Sequence, residues 1–202
     1  MSSPTLRSIL GARSPASLPA RTTALLLIDF QNEYFTGSLP IPDGATALQN
    51  ARQLVECADR HGWRVVHVQH VAPVGSPLFA AGGRQVEIHA DMQPKPAHRV
   101  VEKSSVSVFA GTDLAQKLKD DGITRLVIGG LMTHACVAGA ARDAVPAGFE
   151  VVVAADACAT RDIVVDSELR VGHDMLHRSA LAEIADTFGS VMSTADVLSL
   201  TA

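Results

Sequence analysis

The sequence predicts an α/β domain built around a parallel β-sheet. From Arg21 onward, short apolar runs rich in β-branched residues alternate with segments of helical length, the pattern of strand–helix–strand units. The first run, Ala24 to Phe30, is apolar at every position except Asp29, as a strand buried on both faces requires. No internal repeat or low-complexity tract interrupts the succession. One domain of about six strands is therefore expected over residues 21–202, behind an N-terminal arm of residues 1–20. A chain of 202 residues buries roughly 70% of the surface its unfolded form exposes, enough for a full core without disulfide staples.

Each element has a local reason. Asp43 offers an N-cap, and Leu48, Ala51, Leu54, Val55 and Ala58 recur at helical spacing until Gly62 supplies the stop. Trp63 to His70 reads as the second strand. The stretch Val71 to His98 carries four prolines and the Gly82-Gly83 pair without clear periodicity, which marks a functional loop rather than a mere connector. Arg99 to Lys103 is a short third strand, followed by a helix from Thr112 to about Asp121 with Gly122 behind it. Thr124 to Gly130 makes a fourth strand, Ala135 to about Ala147 a helix, and Phe149 to Asp156 a fifth strand. Asp166 to Phe188 reads as mainly helical, with Leu169, Met175, Leu176, Leu181 and Ile184 as core positions. Ser190 to Ser193 is read as the last strand, before a terminal helix.

Composition excludes several function classes. With 17 basic and 21 acidic residues the formal charge is -4 and no basic stripe appears, so nucleic acid is not an expected partner. The longest apolar runs, such as Ala24 to Ile28 and Val151 to Ala155, fall far short of the roughly 18 residues a membrane span needs, and no membrane partner is expected. Cys57, Cys136 and Cys158 form no C-x-x-C pair, which argues for reduced thiols over a disulfide framework or a thiolate zinc site. The arm contains Arg7 and Arg13, but Pro4, Pro15, Pro19 and several serines leave no continuous apolar stretch for a secretory signal, so a cytoplasmic location is expected.

Three reactive residues sit where strands give way to loops: Asp29 after the first, Lys103 after the third and Cys136 just after the fourth. Ligands of open α/β sheets bind outside the carboxyl ends of the strands, so the three can share one rim. A tight glycine-containing turn at Gly129-Gly130 would place Cys136 in the first turn of a helix, where free N–H groups and the positive end of the macrodipole favour thiolate over thiol. Lys103 would add a second positive field, and Asp29 a carboxylate able to accept the thiol proton as sulfur attacks a carbonyl. The free amides of the turn would stabilise the oxyanion that forms. Each residue also has a plainer reading. Cys136 in an Ala-rich helix can be a small buried hydrophobe, Asp29 a turn residue and Lys103 a surface cation.

Ile28-Asp29-Phe30-Gln31-Asn32, then Glu102-Lys103 followed by Phe109 to Leu114, then Gly130 to Val137 resemble, in that order, the three signature blocks of the isochorismatase-like cysteine hydrolases. Ala141 to Ala144 and Asp156 to Asp162 fit as well, so the resemblance covers about Ala24 to Leu198. It implies a three-layer α/β/α fold with six parallel strands in order 3-2-1-4-5-6. It also implies a triad of Asp29 as base, Lys103 as electrostatic partner and Cys136 as nucleophile. A cis peptide before Met132 is implied too, with the amides of Met132 and Cys136 as oxyanion hole. The implied reaction is hydrolysis of an amide-type C–N bond in a small molecule through a thioester, with no cofactor and with a homo-oligomer as the usual assembly, to which the arm could contribute by reaching a neighbour.

Departures and rivals remain open at this stage. Nicotinamidases of similar triad bind a metal through Asp-x-His after the second strand, where this chain has His70 and Ala72, so that metal site is broken and no metal is expected. His67 and His70 are an odd number of residues apart and would point to opposite faces of a strand, against a joint chelate. His70 and His134 are candidate substrate contacts or satisfy local hydrogen bonds, and Phe35 and Phe79 wall the pocket or fill core. Cys57 and Cys158 are read as packing residues. Isochorismatase itself cleaves a vinyl ether and commonly lacks the cysteine, and a non-catalytic binding subunit of the same fold is a third class.

Overall fold

The computed structural model describes residues 3–201. The chain runs α1 (Leu6–Ile9), β1 (Thr23–Ile28), α2 (Gly44–His61), β2 (Arg64–His70), β3 (Arg99–Lys103), α3 (Leu114–Asp120), β4 (Arg125–Leu131), α4 (Ala138–Ala144), β5 (Glu150–Ala159), β6 (Ile163–Val164), β7 (Arg170–Val171), α5 (His173–Glu183), β8 (Ser190–Met192) and α6 (Thr194–Ser199). Every residue of β1 is buried, and its side chains alternate between two apolar clusters. Leu25 and Leu27 face one, while Ala24, Leu26 and Ile28 face the other. A strand buried on both faces needs cover on each side. Ala47, Leu48, Ala51, Leu54 and Ala58 of α2, with Val197 of α6, cover the first face. Leu114 and Leu118 of α3, Ala140, Ala141 and Ala144 of α4, and Ile184 just after α5 cover the second. The result is three layers, α/β/α.

The sheet has six strands in order β3-β2-β1-β4-β5-β8, all paired in parallel. This is the 3-2-1-4-5-6 order implied by the resemblance; the last sheet strand is eighth in the chain because a small β6/β7 hairpin precedes it. β1 and β4 meet at Ile28 opposite Gly130. A Cβ on Gly130 would lie 2.5 Å from the Ile28 carbonyl oxygen, so only glycine lets these strands approach in this way. Gly62 ends α2 at φ +73°, its N–H returning to the carbonyls of Ala58 and Asp59.

The long excursion between β2 and β3 is tied down by the Gln31 amide. Its Nε2 donates to the carbonyls of His70 (2.8 Å) and Val86 (2.6 Å), and its Oε1 accepts from the His70 N–H (2.8 Å). Isolated bridges at Gln31–Ile88 and Ala72–Ala80 extend the tie.

Several expectations need correction. Asp166 to Phe188 is not continuously helical. The Asp166 carboxylate accepts the N–H groups of Glu168 and Leu169, both at 2.8 Å, and this local turn lets β6 and β7 pair antiparallel before α5 begins at His173. Leu169 and Met175, expected in the core, are 52% and 63% exposed; Leu176 and Leu181 are partly buried and Ile184 fully so. β5 runs on to Ala159, three residues past its expected end, because β4 and β5 resume pairing after a register shift between Ile128 and Gly130. The helix expected from Ala135 starts instead with a wide π turn over Thr133–Val137. The arm also makes contacts within its own chain: the Leu6 N–H donates to Asp186 (2.8 Å), and the N–H of buried Leu18 donates to the Leu200 carbonyl (2.9 Å).

Candidate active site

β1, β3 and β4 end on the same side of the sheet, and each delivers one polar side chain. The chain turns sharply at the end of β1: Asp29 takes φ +54°, a left-handed conformation that Asp tolerates better than most residues. Lys103 closes β3, paired in register with His70 of β2. Cys136 lies in the π turn that follows β4. The side chains converge: Lys103 Nζ is 2.8 Å from Asp29 Oδ2 and 3.3 Å from Cys136 Sγ. It also donates towards His70 Nδ1 (3.1 Å) and the Ser105 carbonyl (3.3 Å).

The centre is closed to solvent. Asp29 and Lys103 have fully buried side chains and Cys136 is 6% exposed. The Lys103 ammonium and the Asp29 carboxylate form an ion pair buried away from solvent. Burial pushes the Asp29 carboxyl above its usual range, and the nearby Lys103 charge offsets part of that. Burial, reinforced by Asp29, pushes the Cys136 thiol up to about 12, while Lys103 pulls it down. Desolvation and the Asp29 charge thus oppose the thiolate that the helix start and Lys103 favour.

The turn that carries the sulfur is fixed on both flanks. A cis peptide joins Leu131 to Met132, as the resemblance implied, and the Met132 carbonyl accepts the N–H groups of Ala135 (3.1 Å) and Val137 (3.3 Å). Thr133 Oγ1 meets His177 Nδ1 at 2.8 Å, and His134 Nδ1 meets Thr160 Oγ1 at 2.6 Å.

The other sequence candidates divide. His70 touches Lys103, and Phe79 packs edge-on against it with ring centroids 5.1 Å apart. His134 is half-buried and bonded to Thr160. Phe35 is partly buried against the first apolar cluster, its ring 4.4 Å from His89. His67 points away from His70, as its spacing predicts, and stacks on His98, whose Nε2 is 2.8 Å from Asp59 Oδ1. Burial pulls the His67 pKa down to about 4. Among the described residues no group of three or more His, Cys, Asp or Glu side chains is placed to hold a metal ion.

Sequence reasoning missed two neighbours. Tyr34 is buried against Phe79, and its phenol is held well above its ordinary pKa by burial and by the charges of Asp29 and Cys136, so it remains a hydrogen-bond donor. The Arg161 charge acts on both Tyr34 and His134, and its buried Nε has no hydrogen-bond partner among the described residues. Arg161 lies within the Asp156 to Asp162 stretch, but nothing in its spacing separates a site cation from a surface one. A cleft of about 170 Å³ lined by Asp43, Asp156, Thr160, His173, Asp174 and His177 adjoins the His134 and His177 contacts, outside the triad.

The fold is a parallel α/β/α sandwich with a carboxyl, an ammonium and a sulfur buried together beyond the ends of β1, β3 and β4. The isochorismatase domain matches residues 23–196, and the chain belongs to the isochorismatase family. It is 37% identical over 192 residues to the secreted isochorismatase effector Isc1 of Verticillium dahliae, covering 95% of this chain and 97% of that one. Maleamate amidohydrolase of Pseudomonas putida is 29% identical, with 88% of this chain and 86% of the relative covered. A cysteine hydrolase from Pseudomonas syringae shares the fold with a TM-score of 0.87 at 26% identity, covering 98% of this chain and 97% of that chain.

Proposed function

We propose that this protein hydrolyses an amide-type C–N bond of a small molecule through a cysteine thioester. The observation that carries the reading is Lys103 Nζ, 2.8 Å from Asp29 and 3.3 Å from the Cys136 sulfur in a buried site. The Asp29 carboxylate, paired with Lys103, takes the thiol proton as sulfur attacks the carbonyl carbon. The amides of Met132 and Cys136 receive the oxyanion. Collapse breaks the C–N bond, and the proton on Asp29 leaves with the amine. Water, deprotonated by the same carboxylate, then cleaves the thioester to a carboxylic acid and restores the thiol. Lys103 stays charged throughout, which spares the buried site an unpaired carboxylate. Tyr34 and Arg161 supply a donor and a positive charge at the edge of the centre, which suits a substrate with an acidic group.

The test is ammonia release from a panel of small amides, ureas and carbamoyl compounds, maleamate included, by wild type and Cys136→Ala. Turnover in wild type and loss of at least about a thousandfold in the variant is the expected result. Activity that survives in Cys136→Ala would reject the nucleophile. The relative named an isochorismatase effector favours a second reading, vinyl-ether hydrolysis; turnover of isochorismate by Cys136→Ala would select it.

The three cysteines are free and buried, which supports a reducing cytoplasm, although one relative is named as secreted. Among the described residues no helix is long and apolar enough to cross a membrane. Detection of the protein in the culture medium of its native cells would overturn the cytoplasmic placement. The apolar residues exposed between Val164 and Met175 support a homo-oligomer.

A further inference from the structure

Lys103 has three ammonium protons and four acceptors around it, and one of the four is a side chain that the reaction does not use. The acceptors are Asp29 Oδ2 (2.8 Å), His70 Nδ1 (3.1 Å), Cys136 Sγ (3.3 Å) and the Ser105 carbonyl (3.3 Å). The lysine side chain is fully buried, so water does not stand in for a missing partner. We propose that His70 is a positioning residue: its neutral Nδ1 accepts a proton from Lys103 and holds the ammonium between Asp29 and Cys136. This role rests on the hydrolase reading above and differs from a substrate contact.

The surroundings fix both the ring and its charge state. The His70 backbone is clamped by Gln31 through the N–H and the carbonyl, both at 2.8 Å. Phe79 packs edge-on against the ring from the excursion, at 65° between planes. An Nδ1 that accepts from an ammonium must carry a lone pair, so the proton of the neutral ring sits on Nε2. The charged and titratable groups facing the ring are Lys103 from β3 and, beyond it, Asp29 from the end of β1 and Cys136 from the turn after β4. Protonated His70 would present an N–H to the Lys103 ammonium, removing an acceptor and adding a like charge. Burial and the Lys103 charge hold the His70 pKa below its ordinary value, against a hydrogen bond to the Ser105 carbonyl that favours the protonated ring, and the neutral form dominates at neutral pH.

The test reads Cys136 directly, with iodoacetamide as probe and peptide mass spectrometry to separate it from the other cysteines. At pH 8, His70→Ala should be alkylated at Cys136 about tenfold more slowly than wild type, the loss of one charge-assisted hydrogen bond. His70→Asn, whose Oδ1 can accept near the position of Nδ1, should stay within about twofold. As pH falls below neutrality the wild-type rate should drop relative to that of His70→Asn, because only wild type gains a charge on the residue-70 side chain. An unchanged rate in His70→Ala, or a ratio of wild type to His70→Asn that does not change with pH, overturns the proposal; the second criterion decides alone where His70→Ala does not fold. If the protein cleaves no amide while alkylation follows this pattern, the positioning role stands and the hydrolase reading fails. Where a substrate is turned over, His70→Ala lowers kcat with KM unchanged, whereas a substrate contact would raise KM.

Discussion

Asp29 combines two conditions that each cost stability: a left-handed backbone at φ +54° and full burial of a carboxyl group. Strain and a buried ionisable group gathered on one residue are characteristic of sites held for chemistry. The consequence is measurable through pH. Burial raises the folded-state pKa of Asp29 above its unfolded value, so the folded state binds the proton more tightly. Its contribution to stability is then full below about pH 4 and is lost as pH rises through the raised folded value. Asp29→Asn cannot titrate and keeps a similar shape. The stability of wild type minus that of Asp29→Asn, from urea unfolding, should therefore fall as pH rises from about 4 towards 8. A difference independent of pH would mean that Lys103 fully compensates the burial. At this scale Asp29, Lys103 and Cys136 were legible because each is a polar or reactive residue closing or following an apolar strand. Tyr34, Arg161 and His177 were not, because loop paths and a distant helix bring them to the site and no periodicity encodes that.

Among the elements, β1 and β4 bear the tightest constraint. Gly130 has its would-be Cβ 2.5 Å from the Ile28 carbonyl oxygen and 2.6 Å from the Ile28 Cβ, and neither neighbour can move without breaking the strand pairing. Gly130→Ala should destabilise the fold by about 2 to 3 kcal/mol, the cost of overpacking a close contact. Because the displaced strand leads straight into the Cys136 turn, activity should fall further than the melting temperature alone explains. Calorimetry and kinetics on the same sample check both parts, and a variant as stable and active as wild type would show that the strands have slack. The strands of the sheet were legible from continuous apolar runs, and α2 from its cap, its spacing and Gly62. The β6/β7 hairpin was not, since the apolar residues Leu169 and Met175 imitate a helical stripe while the Asp166 turn decides the local structure. The π turn at Thr133–Val137 has no sequence period that distinguishes it from an α-helix start.

For the whole molecule, strand order explains why chemistry collects at one place. From β1 the chain builds outward through β2 to β3, then returns to β4 and builds the other way through β5 to β8. The crevice outside the carboxyl ends of β1 and β4 lies where that direction reverses, and Asp29 and Cys136 stand on its two sides. The same topology leaves the β6/β7 hairpin and the start of α5 outside both apolar clusters. Val164, Val165, Leu169 and Met175 are between 52% and 65% exposed there, a group of large apolar residues from one short stretch of chain. A lone exposed leucine is ordinary, but a contiguous group is characteristic of an interaction surface. If this stretch forms the homo-oligomer contact, Val165→Asp combined with Leu169→Asp places two charges where desolvation would be required, and the assembly should dissociate. Light scattering on a sizing column is expected to give a multiple of the 21.2 kDa chain mass for wild type and the single-chain mass for the double variant, with unchanged circular dichroism. A wild type that is monomeric at high concentration, or a double variant that keeps the full assembly, would assign the exposed stretch to something other than self-association.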